Sequence, residues 1–278
     1  RTSDQYRRIR NTFRFILGNL YDYQDKDNIK FENQVELDKW IIIQAKNLQK
    51  DVLELYDSYS YHKAIQKIHN FCVNELGSIY LDIVKDRLYT CKSDSIARRS
   101  CQTSLDYLLN TLVRLVAPIL SYTAEEIWQT SARLNYQEES VFLSNYDVSE
   151  IIEESSISKS DWKRIFEIKN DVNQSIEEMR NENKLKGSLD ANVCIEANND
   201  DIKILEKLGA ELHFLFICSE TDVKENNNFK IKINPSKNQK CIRCWHRHTS
   251  VGTDKKHADL CKRCIKNIDG DGEQRSFV

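Results

Sequence analysis

Two Cys-x2-Cys pairs near the end of the chain, Cys241 with Cys244 and Cys261 with Cys264, constrain its fold more than any other feature. Sixteen residues separate the pairs, a spacing within the range of a four-thiolate zinc ribbon. Two residues between paired cysteines let a tight turn aim both sulfurs at one ion, and two such knuckles complete a tetrahedron around Zn2+. Four thiolates leave no coordination position for water, so the expected site holds one structural zinc ion and performs no chemistry. A segment as short as 237–278 cannot bury enough apolar surface to fold without a cross-link, so the metal is expected to hold it together. His246, His248 and His257 lie nearby, but four sulfurs already saturate the ion. The remaining cysteines, Cys72, Cys91, Cys101, Cys194 and Cys218, have no such partner; Cys72, Cys194 and Cys218 sit in apolar patterns and read as core thiols.

An odd total of nine cysteines in this arrangement points to metal binding in a reducing compartment rather than to disulfides. No apolar run reaches the roughly 18 residues of a membrane helix and no signal peptide opens the chain. The expectation is a cytoplasmic monomer without membrane attachment. A net charge of −2 excludes a whole-molecule polyanion binder, so the distribution of charge decides. From Lys237 to Val278 there are ten Lys or Arg against five Asp or Glu, whereas the stretch 137–154 is acidic with no basic residue. Basic side chains beside an aromatic suit a single-stranded RNA loop, with charge for phosphates and a flat face for an unstacked base. Trp245 with Arg243, Arg247, Arg263 and Arg275 are therefore the candidate RNA contacts of the tail, beside Lys240, Lys262 and Lys266. A solvated basic surface with Trp245 packed on the metal knuckle is the alternative.

Upstream, the first 130 residues have apolar positions recurring at intervals of three and four, which predicts long amphipathic helices. Their stripes run Tyr6, Ile9, Phe13, Leu17, Leu20, with Ser3 or Asp4 as N-cap; Leu37, Trp40, Ile41, Leu48, Val52, Leu55; Ile65, Ile68, Cys72, Leu76, Ile79, Ile83; and Leu105, Leu108, Leu112, Leu115, stopped at Pro118. Thr123-Ala-Glu-Glu126 fits a capping box that opens a further short helix with Ile127 and Trp128. Short connections imply an antiparallel bundle. Arg7, Arg10 and Arg14 share one face of the first helix and suit phosphates, as do Arg98 and Arg99; ion pairs within the chain are the competing reading.

After the acidic linker, Trp162, Ile165, Phe166, Val172, Ile176 and Met179 predict another helix. Val193 to Ile195, Leu212 to Cys218 and Phe229 to Ile233 read as strands, with a helix over 201–208. The fold class is thus mainly α: a helical bundle over 1–150, a small α/β junction unit over 151–236 and a zinc-ribbon-like tail over 237–278. The chain opens on Arg1 rather than on a methionine, and Met179 is the only one, so it is expected to be part of something longer.

The segments Tyr6-Arg-Arg-Ile-Arg-Asn-Thr-Phe-Arg-Phe15, Tyr80-Leu-Asp-Ile-Val-Lys-Asp-Arg-Leu-Tyr89, Arg98-Arg-Ser-Cys-Gln-Thr103 and Ala117-Pro-Ile-Leu-Ser-Tyr-Thr-Ala-Glu-Glu-Ile-Trp128 resemble the anticodon-binding helical domain of bacterial isoleucyl-tRNA synthetases. Lys186-Gly-Ser-Leu-Asp-Ala191 resembles the junction of that family, with Asp190 where it usually has Glu, and Lys240-Cys-Ile-Arg-Cys-Trp-His246 with His257-Ala-Asp-Leu-Cys-Lys-Arg-Cys264 resembles its terminal zinc domain. The resemblance covers essentially the whole chain. It implies a class I anticodon-binding bundle, tRNA(Ile) as partner, and isoleucine attachment by a longer parent. ATP and Mg2+ would bind only in a catalytic domain, whose His-Ile-Gly-His-like and Lys-Met-Ser-Lys-Ser-like signatures do not occur here; Ser156-Ile-Ser-Lys-Ser160 reads as a serine-rich linker. This chain alone is expected to be catalytically inactive. The alternative is a zinc-finger module unrelated to aminoacylation, of the DNA-repair type, which would need an N-terminal proline and a β-rich body, whereas the only prolines are Pro118 and Pro235. A purely structural scaffold is the third reading.

Overall fold

The computed structural model describes residues 2–131, 138–147 and 155–278. They group into two compact units, Arg1–Leu88 with Ile96–Glu154, and Tyr89–Ser95 with Ser155–Val278. The expected boundary at 150 lies outside the described residues, as do Arg1, Gln137 and 148–154. Residues 155–278, which hold most of the segment expected as 151–236 and all of 237–278, fall in one unit.

The first unit is a bundle of α1 (Thr2–Asn19), α2 (Glu36–Asp57), α3 (Tyr61–Phe71), a π-helical segment (Cys72–Tyr80), α4 (Leu81–Thr90, whose last two residues belong to the second unit), α5 (Ile96–Val116) and α6 (Ser121–Ser131). Helix α5 is its centre: Leu105, Leu108, Leu112 and Leu115 are fully buried, and it packs against α1, α2, α3 and α6. Each such leucine contributes about 1.5–3 kcal/mol through burial. Helix α1 already includes Ser3 and Asp4, and α6 opens at Ser121, so the expected caps lie one or two residues inside their helices. Thr123 and Glu126 instead meet Tyr6 and Arg10 of α1.

The third predicted helix is interrupted by π winding. Its wider turn brings Tyr80, rather than the expected Ile79, into the interior. There the Tyr80 hydroxyl donates to Asp38 Oδ1 (2.7 Å), and the same carboxylate takes a bidentate pair from the Arg87 guanidinium (2.7 Å to each oxygen) and a hydrogen bond from Ser100 Oγ. The described part of the acidic stretch is not a loose linker: Glu138 O accepts from Trp128 Nε1 (3.0 Å), and Ser144 Oγ accepts from Arg114 Nε (3.1 Å).

In the second unit, α7 (Lys159–Asn181) starts where Ser158 Oγ accepts from the Asp161 N–H, so the serine-rich stretch is a helix cap. Strand β1 (Ala191–Ala197) runs parallel to β2 (Glu220–Glu225) and antiparallel to β3 (Lys230–Pro235), giving the order β2-β1-β3 with Ile195 opposite Val223 and Ile231. Helix α8 (Asn199–Glu206) follows β1. The expected strand over 212–218 is instead the single turn α9 (Leu212–Leu215) and a tight bend in which Ile217 has φ +53°. Leu212, Phe214, Leu215, Phe216 and Cys218 are all buried, which a run this short can achieve as either structure. The strand lies just beyond, in the polar Glu220–Glu225. The tail adds a small hairpin closed by the Lys240–Arg247 bridge, and α10 (Lys262–Asp269), which starts directly after Cys261. Among the described residues, no helix is long and apolar enough to cross a membrane.

Candidate metal centre and nucleic-acid interface

Two local structures deliver the four sulfurs. The Lys240–Arg247 hairpin turns through Cys241 and Cys244, where Trp245 N–H donates to Cys241 O (3.0 Å), and the start of α10 carries Cys261 and Cys264. All four Sγ atoms lie within 4.8 Å of one another, and all four residues are buried. The Cys244 and Cys261 sulfurs are 3.7 Å apart. That is far longer than a disulfide bond and close to the roughly 3.8 Å edge of a tetrahedron with Zn–S bonds of about 2.3 Å. Cys261 N–H points at Cys241 Sγ (3.4 Å). Hydrogen bonds from Cys244 and Cys264 lower the Cys261 thiol while those with Cys244 and Cys261 raise Cys264, as in a cluster whose sulfurs share protons. The donor set therefore fits a closed tetrahedral ion and offers no open position for a reactant.

Trp245 lies at the tip of the first knuckle with φ +67° and its side chain 60% exposed. The indole is not packed into the knuckle; its visible neighbour is the Lys240 ammonium, 5.4 Å from the ring centre, a cation–π distance. Ile242 is exposed on the same hairpin.

The four candidate arginines of the tail each have a partner within the chain. Arg275 is buried, its guanidinium stacked on the Phe214 ring and donating to Glu273 Oε2 (3.0 Å) and Val278 O (3.2 Å). Arg263 donates to Glu273 Oε1 (3.1 Å) and Thr90 Oγ1 (3.4 Å), Arg243 donates to Thr90 O, and Arg247 binds Asp190 Oδ1 (2.6 Å) and Asn238 O (3.1 Å). A buried guanidinium needs partners, and this unit supplies them internally. Of the four arginines expected to face RNA, Arg275 is thus the most deeply buried, and Arg243, Arg247 and Arg263 also direct hydrogen bonds into the chain.

In the bundle, Arg7, Arg10 and Arg14 are exposed along α1 as expected. Arg10 meets Glu126 at 3.3 Å, an exposed pair that holds little energy against solvent. Arg98 and Arg99 do not share this character. Arg98 forms a bidentate pair with Asp22 (2.6 and 2.9 Å), and Arg99 binds Asp22 O and Gln102, so both fasten the loop after α1 to α5.

Several functional contacts were invisible to sequence reasoning. Glu273 accepts from Arg263, Arg275, Asn267 and the Cys91 thiol. The Glu211 carboxylate caps the N–H groups of Ser276, Phe277 and Val278 at 2.8–3.0 Å. His213 stacks edge-on to His246, and burial with the neighbouring His246 and arginines pushes it down to about 3, so its ring stays neutral. The available hint was a surplus of charge without neighbours in sequence, and that does not say which partner folding brings.

Comparison with known proteins agrees with this geometry. Residues 38–195 match the family model described as "Anticodon-binding domain of tRNA ligase", and residues 238–267 match "Zinc finger found in FPG and IleRS". The chain is 41% identical over 288 residues to the isoleucine–tRNA ligase of Glaesserella parasuis serovar 5, covering 99% of this chain and 31% of that protein. It is 42% identical over 292 residues to that of Francisella philomiragia and 42% over 294 residues to that of Hahella chejuensis, in both cases covering 100% of this chain and 31% of the relative. It thus spans less than a third of the length of the curated relatives it matches. With more than half of its residues inside the first model, the chain belongs to the family of anticodon-binding domains of tRNA ligases.

Proposed function

We propose that this chain recognises the anticodon arm of tRNA(Ile) as the tRNA-reading part of an isoleucine–tRNA ligase. ATP, Mg2+ and the joining of isoleucine to tRNA belong to sequence outside this chain. The observation that carries the reading is the exposed Trp245 indole with Lys240 over it, on a four-cysteine knuckle, in a member of an anticodon-binding family. Such a pair offers a flat platform for an unstacked base and a charge for its phosphate. Cys241, Cys244, Cys261 and Cys264 hold one structural Zn2+ that fixes this platform, making 237–278 a metal-dependent module. Arg7, Arg10 and Arg14 supply phosphate contacts from the bundle. Arg243, Arg247, Arg263 and Arg275 serve assembly of the second unit. The protein acts as a cytoplasmic monomer.

Filter binding of tRNA(Ile), an unrelated tRNA and a DNA duplex tests the proposal. Preference for tRNA(Ile) is expected, together with no isoleucine-dependent ATP–pyrophosphate exchange. Trp245→Ala should lose affinity by about 1–3 kcal/mol at an unchanged salt slope, and with it discrimination against a substituted anticodon. Arg10→Ala and Arg14→Ala should weaken all tRNAs alike and reduce the salt slope, by about 0.7 per lost phosphate contact. Equal binding of the DNA duplex would favour the DNA-repair-type finger, and binding of none of the three would leave a scaffold.

A further inference from the structure

The Lys186–Ala191 segment singled out by resemblance has no part in the base platform or in the metal site, yet Arg247, which closes the Trp245 hairpin, lands on it. The Arg247 backbone N–H donates to Ser219 Oγ (2.6 Å), and its guanidinium donates to Asp190 Oδ1 (2.6 Å). Both acceptors are themselves fixed: Ser219 Oγ donates to Leu189 O (2.5 Å), and the Asp190 carbonyl accepts from Ser236 N–H (2.8 Å) at the end of β3. Across the hairpin, Arg247 is bridged to Lys240, the residue over the indole, and the next rung is Cys241 N–H to His246 O (2.9 Å). A metal ion fixes Cys241 and Cys244 relative to the other pair, but it does not set the direction in which the hairpin tip points.

We infer that Asp190 is a positioning residue for anticodon recognition: through Arg247 it aligns the Lys240–Trp245 platform against the start of β1. The inference rests on the RNA-reading function proposed above. It assigns Arg247 a role opposite to that of a phosphate contact, and the two roles separate experimentally. If Asp190 aligns the platform, removing its charge weakens RNA binding even though a negative charge has been taken away from a polyanion site. If Arg247 meets a phosphate, removing Asp190 frees the guanidinium and strengthens binding.

The test measures tRNA(Ile) affinity across a salt series for wild type, Asp190→Ala, Arg247→Ala and the double variant, with Ser219→Ala as a milder perturbation of the same dock and zinc content determined for each. Each single variant should lose roughly tenfold in affinity, the scale of one charge-assisted hydrogen bond. The double variant should lose no more than either single one, the salt slope should not change, zinc should stay bound, and Asp190→Glu should restore most of the affinity. A second readout needs no RNA. Trp40, Trp128 and Trp162 are buried at 8%, 1% and 2% exposure, so acrylamide-quenchable fluorescence reports on Trp245, and quenching should change in Asp190→Ala but little in Asp190→Glu. An unaltered or raised affinity in Asp190→Ala, a reduced salt slope in Arg247→Ala, or loss of zinc from Asp190→Ala and Ser219→Ala would each overturn the inference. Absence of tRNA binding by the wild type, with the quenching change intact, would refute the proposed function and leave the alignment standing.

Discussion

In the helical bundle, Leu105, Leu108, Leu109 and Leu112 of one helix are fully buried among the aliphatic side chains of its neighbours. In the tail the interior consists of Cys241, Cys244, Cys261, Cys264 and Val251, with Leu260 partly buried beside them. Hydrocarbon burial is distributed, so the bundle can lose any one contact and remain folded. The tail concentrates its cohesion in four sulfurs and ties its outside down with charged hydrogen bonds to Thr90, Asp190 and Glu211 and with a guanidinium over the Phe214 ring. Cohesion of this kind is cooperative with the metal and vulnerable at single atoms.

The largest effect should therefore come from the sulfurs. Cys261→Ser, or a strong chelator, should reduce zinc from one per chain toward zero and open 237–278 to protease. Because Glu211 and Phe214 partner the tail, the loosening should extend to α9. The far-ultraviolet helical signal of α1 to α6 should barely change. Hydrogen exchange resolved by peptide would check this, and full metal content with a protected tail in Cys261→Ser would break the comparison.

A smaller but still large effect is expected inside the bundle, at an ion pair buried deep in its interior. Asp38 and Arg87 have side-chain exposures of 0% and 1%. Asp38→Ala leaves a buried guanidinium without its carboxylate, which typically costs about 3–5 kcal/mol. Urea unfolding followed by helical signal should shift accordingly, with zinc content unchanged. A loss below about 1 kcal/mol would mean that Ala97 O, which already accepts from Arg87, suffices.

These contrasts also explain what the sequence disclosed. The four cysteines were legible because their spacing is a covalent constraint, and the helices because a leucine every third or fourth residue can mean little else over twenty residues. The bearing of charged residues was not legible. Arg98 pairs with Asp22 and Arg247 with Asp190, partners separated by 76 and 57 positions, and an arginine looks the same whether it will meet a phosphate or a carboxylate. Strand β2, Glu-Thr-Asp-Val-Lys-Glu, was missed because only Thr221 and Val223 mark its inner side, while the apolar run before it looked more strand-like. Tyr80 was displaced by one residue from its expected neighbour because π winding leaves no separate mark in a pattern of apolar residues.

The smallest expected effect compares two aromatic residues, one in each region, that adopt the same unfavourable backbone. Tyr59 has φ +56° and Trp245 φ +67°, values at which a side chain costs about 1–2 kcal/mol relative to glycine. Tyr59 terminates α2: Ser60 N–H reaches back to Leu55 O (2.7 Å) and Tyr59 N–H to Tyr56 O (3.0 Å), the helix ending in which glycine is preferred. Its ring is 80% exposed and touches Tyr61 edge-on at 6.4 Å, a contact worth at most about 1 kcal/mol so near water. Tyr59→Gly should therefore be neutral or stabilise the bundle by up to about 1 kcal/mol, seen as a rise of a few degrees in its melting temperature, with tRNA(Ile) affinity unchanged. Trp245→Gly relieves the same strain in the tail, and zinc should be held at least as firmly, yet tRNA affinity should fall as it does for Trp245→Ala. The strain at position 245 would then be maintained for the ring it presents, and the strain at 59 would not. If Tyr59→Gly weakens tRNA binding as much as Trp245→Gly does, the bundle's tyrosines belong to the RNA surface, and the division between a supporting bundle and a reading tail is wrong.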